Sequence, residues 1–235
     1  MKTHLTIRVQ AKGGMFLGPD SFGGAVITVS DLKTGKVLAN GMTDTGDSGS
    51  QESSYVPGAT DTPIITPGKP EASLTWVVAS ASTVKFAADL DLEAPTLVKV
   101  SAGIPLPPAQ GDQEVSVTTW LLPGQKGPSL VLEVPGLWVQ PELVFDGLNL
   151  RIRAKVTMMC GCEVNESSPW LPEDFSVHTV LVSGKQRKEI PMEFEINSQY
   201  SSAVIPLKAG DHRVEVLAAQ KSLANYGVGI VGLKV

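Results

Sequence analysis

The sequence predicts an all-β protein made of two β-sandwich domains. Glycine (23 residues) and proline (17 residues) are abundant in the 235-residue chain, whereas charged residues account for only 18%. Short apolar segments of strand length recur between turn residues, and no stretch keeps the 3.6-residue period of a helix. This combination is typical of many short strands joined by turns. The length accommodates two domains of sandwich size.

The first predicted strands lie before residue 44. Apolar residues at positions 5, 7 and 9 alternate with polar ones, which indicates a strand with one buried face and places His4 on the solvent side. Residues 25–30 and 37–39 form two further predicted strands. The turn between them contains Gly35, which can adopt a positive φ. The two strands are therefore predicted to form a hairpin.

This hairpin carries a family-like pattern. The chain reads Gly-Gly-Ala-Val-Ile-Thr-Val at 23–29, Thr-Gly-Lys-Val-Leu-Ala at 34–39 and Thr-Asp-Thr-Gly at 43–46. The stretch 23–46 resembles the opening of transthyretin-like and carboxypeptidase-regulatory-like β-sandwich modules. The resemblance implies a sandwich fold for the first domain and implies no activity.

Residues 44–73 are predicted to form one long loop. They are rich in Ser, Thr, Gly, Pro and acidic residues and show no periodicity. Loops of this length are usually functional or mobile, so Asp44 and Asp47 are candidate binding residues. The acidic residues of this segment lack the i, i+2, i+4 oxygen spacing of an EF-hand loop. A solvated acidic loop is therefore favoured over a Ca²⁺ site.

The rest of the first half predicts four more strands and a domain boundary. The predicted strands are 74–80, 83–92, 97–102 and 115–122. The segment Pro-Gly-Gln-Lys-Gly-Pro at 123–128 has the composition of a linker or a turn. We therefore predict a first domain at 1–128 and a second domain at 129–235.

The second half predicts seven strands with turn residues between them. They are 137–144, 147–159, 175–183, 187–195, 201–207, 210–219 and 226–235. In residues 207–216, Gly210-Asp211-His212 is similar to the segment that leads into strand F of sandwich domains, with His212 where a corner tyrosine often stands. Residues 137–235 thus resemble an immunoglobulin- or fibronectin-III-like sandwich. The comparison favours a structural corner role for His212.

Residues 158–162, Met-Met-Cys-Gly-Cys, contain both cysteines of the chain. The strand phase places Met158, Cys160 and Cys162 on the inward face. Three alternatives remain open: buried free thiols, a local disulfide made possible by a bulge at Gly161, or a soft-metal site. Thiolates with a thioether are the ligands that Cu(I) selects, and His212 or His178 could complete the set.

Trp170 lies between prolines in the polar loop that follows the cysteines. Aromatic residues in the end loops of a sandwich dominate binding where partners dock, so Trp170 is a candidate binding residue. The alternative is that it caps the core of its own domain.

The sequence favours a binding or assembly role over catalysis. It has three scattered histidines, no phosphate-binding glycine loop and no nucleophile elbow, so no catalytic residue is predicted. A net charge of −5 without a basic cluster argues against nucleic-acid binding, and no apolar run reaches the length of a membrane span. The cysteines do not decide the compartment, and an extracytoplasmic location is only weakly favoured.

We therefore predict a non-enzymatic β-sandwich protein whose partner is a protein or a glycan. No cofactor is predicted under this hypothesis. The alternative hypothesis is a copper-binding protein centred on the segment from Met158 to Cys162.

Overall fold

The structure of the protein, a computed structural model, describes residues 2–44, 54–57, 63–64, 75–78, 84–106 and 113–235; for the three short middle segments it describes the backbone alone. These residues form eighteen strands and two single-turn 3-10 helices, at Pro172–Asp174 and Lys221–Leu223. The prediction of an all-β fold is confirmed. Within these described ranges, no helix has the length and apolar character needed to cross a membrane.

The chain divides into two compact units, with the division after Val134. The first unit contains ten strands in its described residues. They are β1 (Lys2–Ala11), β2 (Val26–Asp31), β3 (Val37–Met42), β4 (Ser54–Pro57), β5 (Pro63–Ile64), β6 (Thr75–Val78), β7 (Phe86–Asp91), β8 (Thr96–Ile104), β9 (Gln113–Leu121) and β10 (Lys126–Val134).

Two sheets of the first unit enclose its core. Strands β10, β1 and β7 form one sheet, and strands β3, β2, β8 and β9 form the other in that order. Apolar side chains alternate along these strands as the sequence predicts, and Ile7, Ile27 and Val100 are fully buried. A β-carbon added to Gly41 on β3 would meet the ring of Phe86 on β7. The inner faces of the two sheets are therefore in contact.

Strand β10 is absent from the sequence prediction, which treated residues 123–128 as a boundary. The strand runs parallel to β1, and its register shifts where His4 pairs with Lys126 but Thr6 pairs with Ser129. Pro128 lies in this irregular stretch, where a residue without an N–H is tolerated. Residues 129–134, predicted to belong to the second domain, therefore belong to the first unit.

The predicted loop 44–73 contains two short strands. Strands β4 and β5 both pair with β6, which forms a small antiparallel sheet. The prediction of a loop without strands is therefore wrong at these positions. Strands of two to four residues are too short to produce a recognisable alternation in the sequence.

In its described residues, the second unit contains eight strands, close to the predicted bounds. They are β11 (Leu137–Asp146), β12 (Asn149–Met158), β13 (Phe175–Ser183), β14 (Gln186–Phe194), β15 (Gln199–Ser202), β16 (Ile205–Pro206), β17 (Asp211–Gln220) and β18 (Asn225–Lys234). One predicted strand, 201–207, is replaced by the two short strands β15 and β16. Both of them pair with β12.

The sheet of the second unit curves until its two ends meet. The strand order is β11-β12-β15-β14-β13-β17-β18, and β18 lies alongside β11. Leu150, Ile152 and Val156 of β12 and Val214 and Val216 of β17 fill the interior and are fully buried. The immunoglobulin-like assignment of this unit stays a prediction.

Glycine permits the close approach of β18 and β11. A β-carbon at Gly227 would collide with the carbonyl oxygen of Leu137, and one at Gly229 would lie 2.7 Å from the carbonyl oxygen of Val139. Any larger residue at these positions would push the two end strands apart. These glycines therefore allow the sheet to close.

Candidate functional site

The two cysteines lie at the end of β12, where the strand turns. The N–H of Gly161 donates to the Met158 carbonyl at 2.8 Å, and Gly161 has a φ of +79°. Cys160 and Cys162 are joined in a disulfide, with their Cα atoms 5.3 Å apart. Strand alternation thus holds as far as Met158 and ends there, because the left-handed glycine reverses the chain.

The methionines beside the disulfide belong to the core. Met158 and Met159 are buried, and Cys160 is 8% exposed. A disulfide has no thiolate to offer a metal ion, so the soft-metal hypothesis requires prior reduction of this pair. Among the described residues, no group of three or more His, Cys, Asp or Glu side chains is placed to hold a metal ion.

The oxidation state of this pair gives the first testable prediction. We expect thiol titration of the protein, unfolded without a reductant, to detect no free thiol. Replacing both cysteines by serine should lower the free energy of unfolding by roughly 1.5 kcal/mol, because the closed loop is very short. Two titratable thiols together with stoichiometric copper uptake would instead support the soft-metal hypothesis.

His212 is remote from the cysteines. Met158 pairs with Leu137, which contacts Gly227, and Gly227 pairs with Ala218. His212 lies six residues further along β17, about 20 Å at the usual rise of a strand. The structure therefore does not bring His212 together with Met158, Cys160 and Cys162 as the metal hypothesis requires.

The contacts of His212 support its corner role. Its Nε2 lies 2.8 Å from the carbonyl oxygen of Lys208, which can only accept, so Nε2 carries the proton in this bond. Its Nδ1 lies 2.6 Å from the Ser183 hydroxyl. Like a corner tyrosine, the side chain bonds back to the backbone four residues upstream.

Trp170 caps the core of its own unit. Its side chain is only 9% exposed, and its backbone N–H and carbonyl both bond to the Ser168 hydroxyl, at 3.1 and 3.0 Å. This burial favours the core-capping alternative over a surface anchor, and the binding role of Trp170 stays a prediction. The core-capping alternative explains the residue.

The two aspartates proposed for binding do not form a described site. Asp44 is exposed and makes a two-bond backbone bridge with Lys85, each N–H donating to the other carbonyl at 3.0 Å. Asp47 lies outside the described residues.

The largest exposed indole surface in the described residues belongs to a different tryptophan. Trp120 on β9 is 60% exposed, and it pairs with Leu97 on β8. The backbone carbonyl of Leu97 accepts a hydrogen bond from the N–H of Leu32. Leu32 is 47% exposed. An apolar patch that includes the exposed Trp120 indole therefore lies at one end of the outer face of the sheet β3-β2-β8-β9.

Beside this apolar patch lies a mostly polar surface, which the exposed side chains of Val26 and Met42 border in the row of Glu114. Side chains that share the outward phase of Trp120 line up across the strands, because paired residues of neighbouring strands stand about 5 Å apart. We call this surface, together with Trp120 and Leu97, the Trp120 face. Its polar members are Thr118, Lys99, Ser116, Ser101, Thr28 and Asn40. The Lys99 ammonium lies 3.7 Å from the Glu114 carboxylate, which sets the edge of the face.

The sequence analysis did not single out Trp120, although the sequence contains the signal. In the predicted strand 115–122, Val115, Val117 and Leu121 share one phase, whereas Trp120 shares the other phase with Ser116 and Thr118. Because alternate residues of a strand point to opposite faces, this pattern places a tryptophan on the polar side. The sequence analysis favoured Trp170 instead because that residue lies in a loop.

Side chains with displaced pKa values do not form an interacting group in the described parts of the chain. Within the described ranges, clear displacement is confined to Asp31, Tyr200 and Glu215. The N–H of Thr34 lowers the pKa of Asp31 in its turn, and burial raises that of Tyr200. Burial also raises the pKa of Glu215, but bonds from two arginines outweigh it and lower the value. These three groups have separate structural causes.

Comparison with known proteins identifies no family. No family model matches the chain, and no curated protein matches it. Among solved structures, it is similar to a DUF3823 family protein from Bacteroides uniformis ATCC 8492 (11% identity, TM-score 0.31, 100% of each chain covered). It is also similar to one from Bacteroides ovatus ATCC 8483 (9% identity, TM-score 0.32, 100% of this chain and 99% of that one).

A third similar structure is a candidate carbohydrate-binding protein from Bacteroides uniformis ATCC 8492. It shares 11% identity with a TM-score of 0.29, covering 99% of each chain. At these TM-scores and identities, none of the three structures establishes a function for this chain.

Proposed function

We propose that the protein is a non-enzymatic binding protein that recognises a neutral glycan on the Trp120 face. The observation that carries the proposal is the 60% exposed indole of Trp120 at one end of a surface formed mostly by hydroxyl and amide side chains. A large apolar side chain left in water on a sheet face gains free energy when a ligand covers it.

The chemistry of the face suits a sugar ring. The electron-rich face of an indole attracts the weakly positive C–H groups on the apolar side of a pyranose. The hydroxyls of Thr118, Ser116 and Ser101 are outward-facing donors and acceptors at strand spacing. Strand backbone holds them in place, so little conformational entropy is lost on binding.

Charge on the face favours a neutral ligand. Lys99 has the Glu114 carboxylate 3.7 Å away, so the positive charge is compensated. The other polar members carry no charge. An anionic polymer would find no uncompensated cation there to pair with.

The described groups with displaced pKa values do not converge on one point, which supports the non-enzymatic part of the proposal. Of the described groups with displaced pKa values, Tyr200 and Glu215 belong to the second unit, and Asp31, beside Leu32, has its pKa lowered by N–H groups of its own turn. Catalysis needs such groups to converge on a reacting atom. Binding without chemistry is therefore the function that this face supports.

Affinity electrophoresis tests the proposal. Native gels containing dextran, pullulan, xylan or laminarin should retard the wild-type protein in at least one case. Trp120→Ala should weaken that binding at least tenfold, or about 1.4 kcal/mol, because aromatic anchors carry much of a binding energy. Trp138→Phe, a change in the second unit, is the matched control and should bind like the wild type.

Two results would contradict the proposal. One is a wild-type protein that migrates unchanged in all four polysaccharides. The other is equal retardation of the wild type and the Trp120→Ala variant, which would place the glycan site elsewhere. Because the Trp120 side chain is mostly exposed, the variant should fold, and circular dichroism would check this.

A further inference from the structure

The disulfide between Cys160 and Cys162 encloses a single residue, Gly161. The stabilisation that a disulfide gives by restricting the unfolded chain grows with the length of the loop that it closes. A loop this short is at the lower limit of that range, so the bond adds little to the stability of the second unit. Opening the bond should therefore leave the unit folded.

Backbone hydrogen bonds hold the turn independently of the sulfur atoms. The N–H of Gly161 donates to the Met158 carbonyl at 2.8 Å, and the N–H of Met158 donates to the Cys162 carbonyl at 3.2 Å. Just beyond the turn, the N–H of Val164 donates to the Ser198 hydroxyl, and the N–H of Ser198 donates to the Val164 carbonyl, both at 2.8 Å. The two cysteines therefore remain neighbours when the bond between them is broken.

Solvent reaches the two cysteines unequally. Cys160 is buried, at 8% exposed. Cys162 is partly exposed and lies between two exposed residues, Gly161 and Glu163. In thiol–disulfide exchange, access decides which sulfur atom the incoming thiolate attacks. The Sγ atom of Cys162 is therefore the expected point of attack, and Cys160 is the leaving group.

We propose that Cys160 and Cys162 form a dithiol–disulfide exchange site whose partner is a molecule with two adjacent thiols. A thiolate of the partner attacks the Sγ atom of Cys162, forms a mixed disulfide and releases Cys160 as a thiolate, which takes up a proton. The second thiolate of the partner then attacks the partner's sulfur atom in the mixed disulfide and releases Cys162, which is protonated in turn. The partner leaves as a disulfide, and the protein has gained the two electrons and two protons that the partner has lost.

The exchange goes beyond the proposed glycan binding. It is a stoichiometric reaction of residues in the second unit, whereas Trp120 belongs to the first unit. The reverse reaction, in which an external disulfide oxidises the pair, follows the same steps because the backbone keeps the two thiols together.

Reduction of the native full chain is the first test. About 1 mM dithiothreitol supplies the two adjacent thiols, and alkylation followed by mass spectrometry counts the free cysteines. Both cysteines should become alkylated while the circular dichroism spectrum stays that of the folded protein. Excess oxidised glutathione should then restore the disulfide.

Two single variants test which sulfur atom reacts. Cys160→Ser leaves the thiol of Cys162, and Cys162→Ser leaves the thiol of the buried Cys160. With dithiobis(nitrobenzoate), the first variant should react at least about tenfold faster, because its thiol is more accessible. The reduced wild type should release two thionitrobenzoate ions per chain and end as a disulfide, whereas Cys160→Ser should release one and keep the other half of the reagent as a mixed disulfide.

A disulfide that dithiothreitol reduces only after urea has unfolded the protein would overturn the inference. Loss of the folded spectrum on reduction would also overturn it, since the bond would then be needed for the fold. Equal reaction rates of the two single variants would contradict the assignment of Cys162 as the point of attack. Circular dichroism would check that both variants fold, and the wild-type measurements do not depend on them.

Discussion

Gly227→Ala should lower the free energy of unfolding by at least about 3 kcal/mol, the upper part of the range for overpacked sites. The added β-carbon would lie on the carbonyl oxygen of Leu137. A backbone atom of the adjacent strand β11 cannot move aside as a flexible side chain can. The end strands β11 and β18 would separate, and urea denaturation would measure the loss.

Gly232→Ala is the matched control on the same strand. A β-carbon there meets no atom within 4 Å, so the variant should be as stable as the wild type or up to about 1 kcal/mol more stable, through reduced freedom of the unfolded chain. Equal stability of the two variants would contradict the close approach of β11 and β18.

Glu215→Gln should cost about 1–2 kcal/mol at neutral pH, because it removes the charge that two arginines share. The loss should depend on pH. Although burial raises the pKa of Glu215, the bonds from Arg187 and Arg213 outweigh it, so the folded-state pKa lies below the unfolded one. The stabilisation is therefore fully present above the unfolded value of about 4.3 and is lost as the pH falls through the folded pKa.

Thermal unfolding of the wild type and Glu215→Gln from pH 7 to pH 3 measures this effect. The difference in melting temperature should stay constant down to about pH 5 and shrink below about pH 4. Glu142→Gln, which alters an exposed carboxylate on β11, is the control and should change little. A Glu215→Gln difference that grows in acid would contradict the assigned direction of the pKa.

Alternation within a strand was sufficient to predict most of the second unit. The apolar phase of 150–156 predicted the buried face of β12, whereas the sequence left the disulfide as one of three alternatives for the cysteines. Strand β10 was not predictable in this way, because Gly127 and Pro128 give the first residues of the strand the composition of a loop. Its assignment depends on parallel pairing with β1, more than a hundred residues away.

The groups of side chains that meet at the surface depend on pairing between distant strands. The Trp120 phase was present in the local sequence, but its polar neighbours Thr28 and Asn40 come from strands far along the chain. Likewise, Glu215 meets Arg187 only through the register of β17, β13 and β14. Local sequence shows which way a side chain points, whereas register decides which side chains stand beside it.

The indole N–H signals of the four tryptophans test the central claim most directly. In a ¹⁵N-correlated spectrum of the full chain, titration with an oligosaccharide of the polysaccharide that retards the protein should shift the Trp120 signal, which Trp120→Phe assigns. The signals of the buried Trp170 and the half-buried Trp138 should not move. A Trp120 signal that stays fixed at saturation, while another tryptophan shifts, would contradict a glycan site on the Trp120 face.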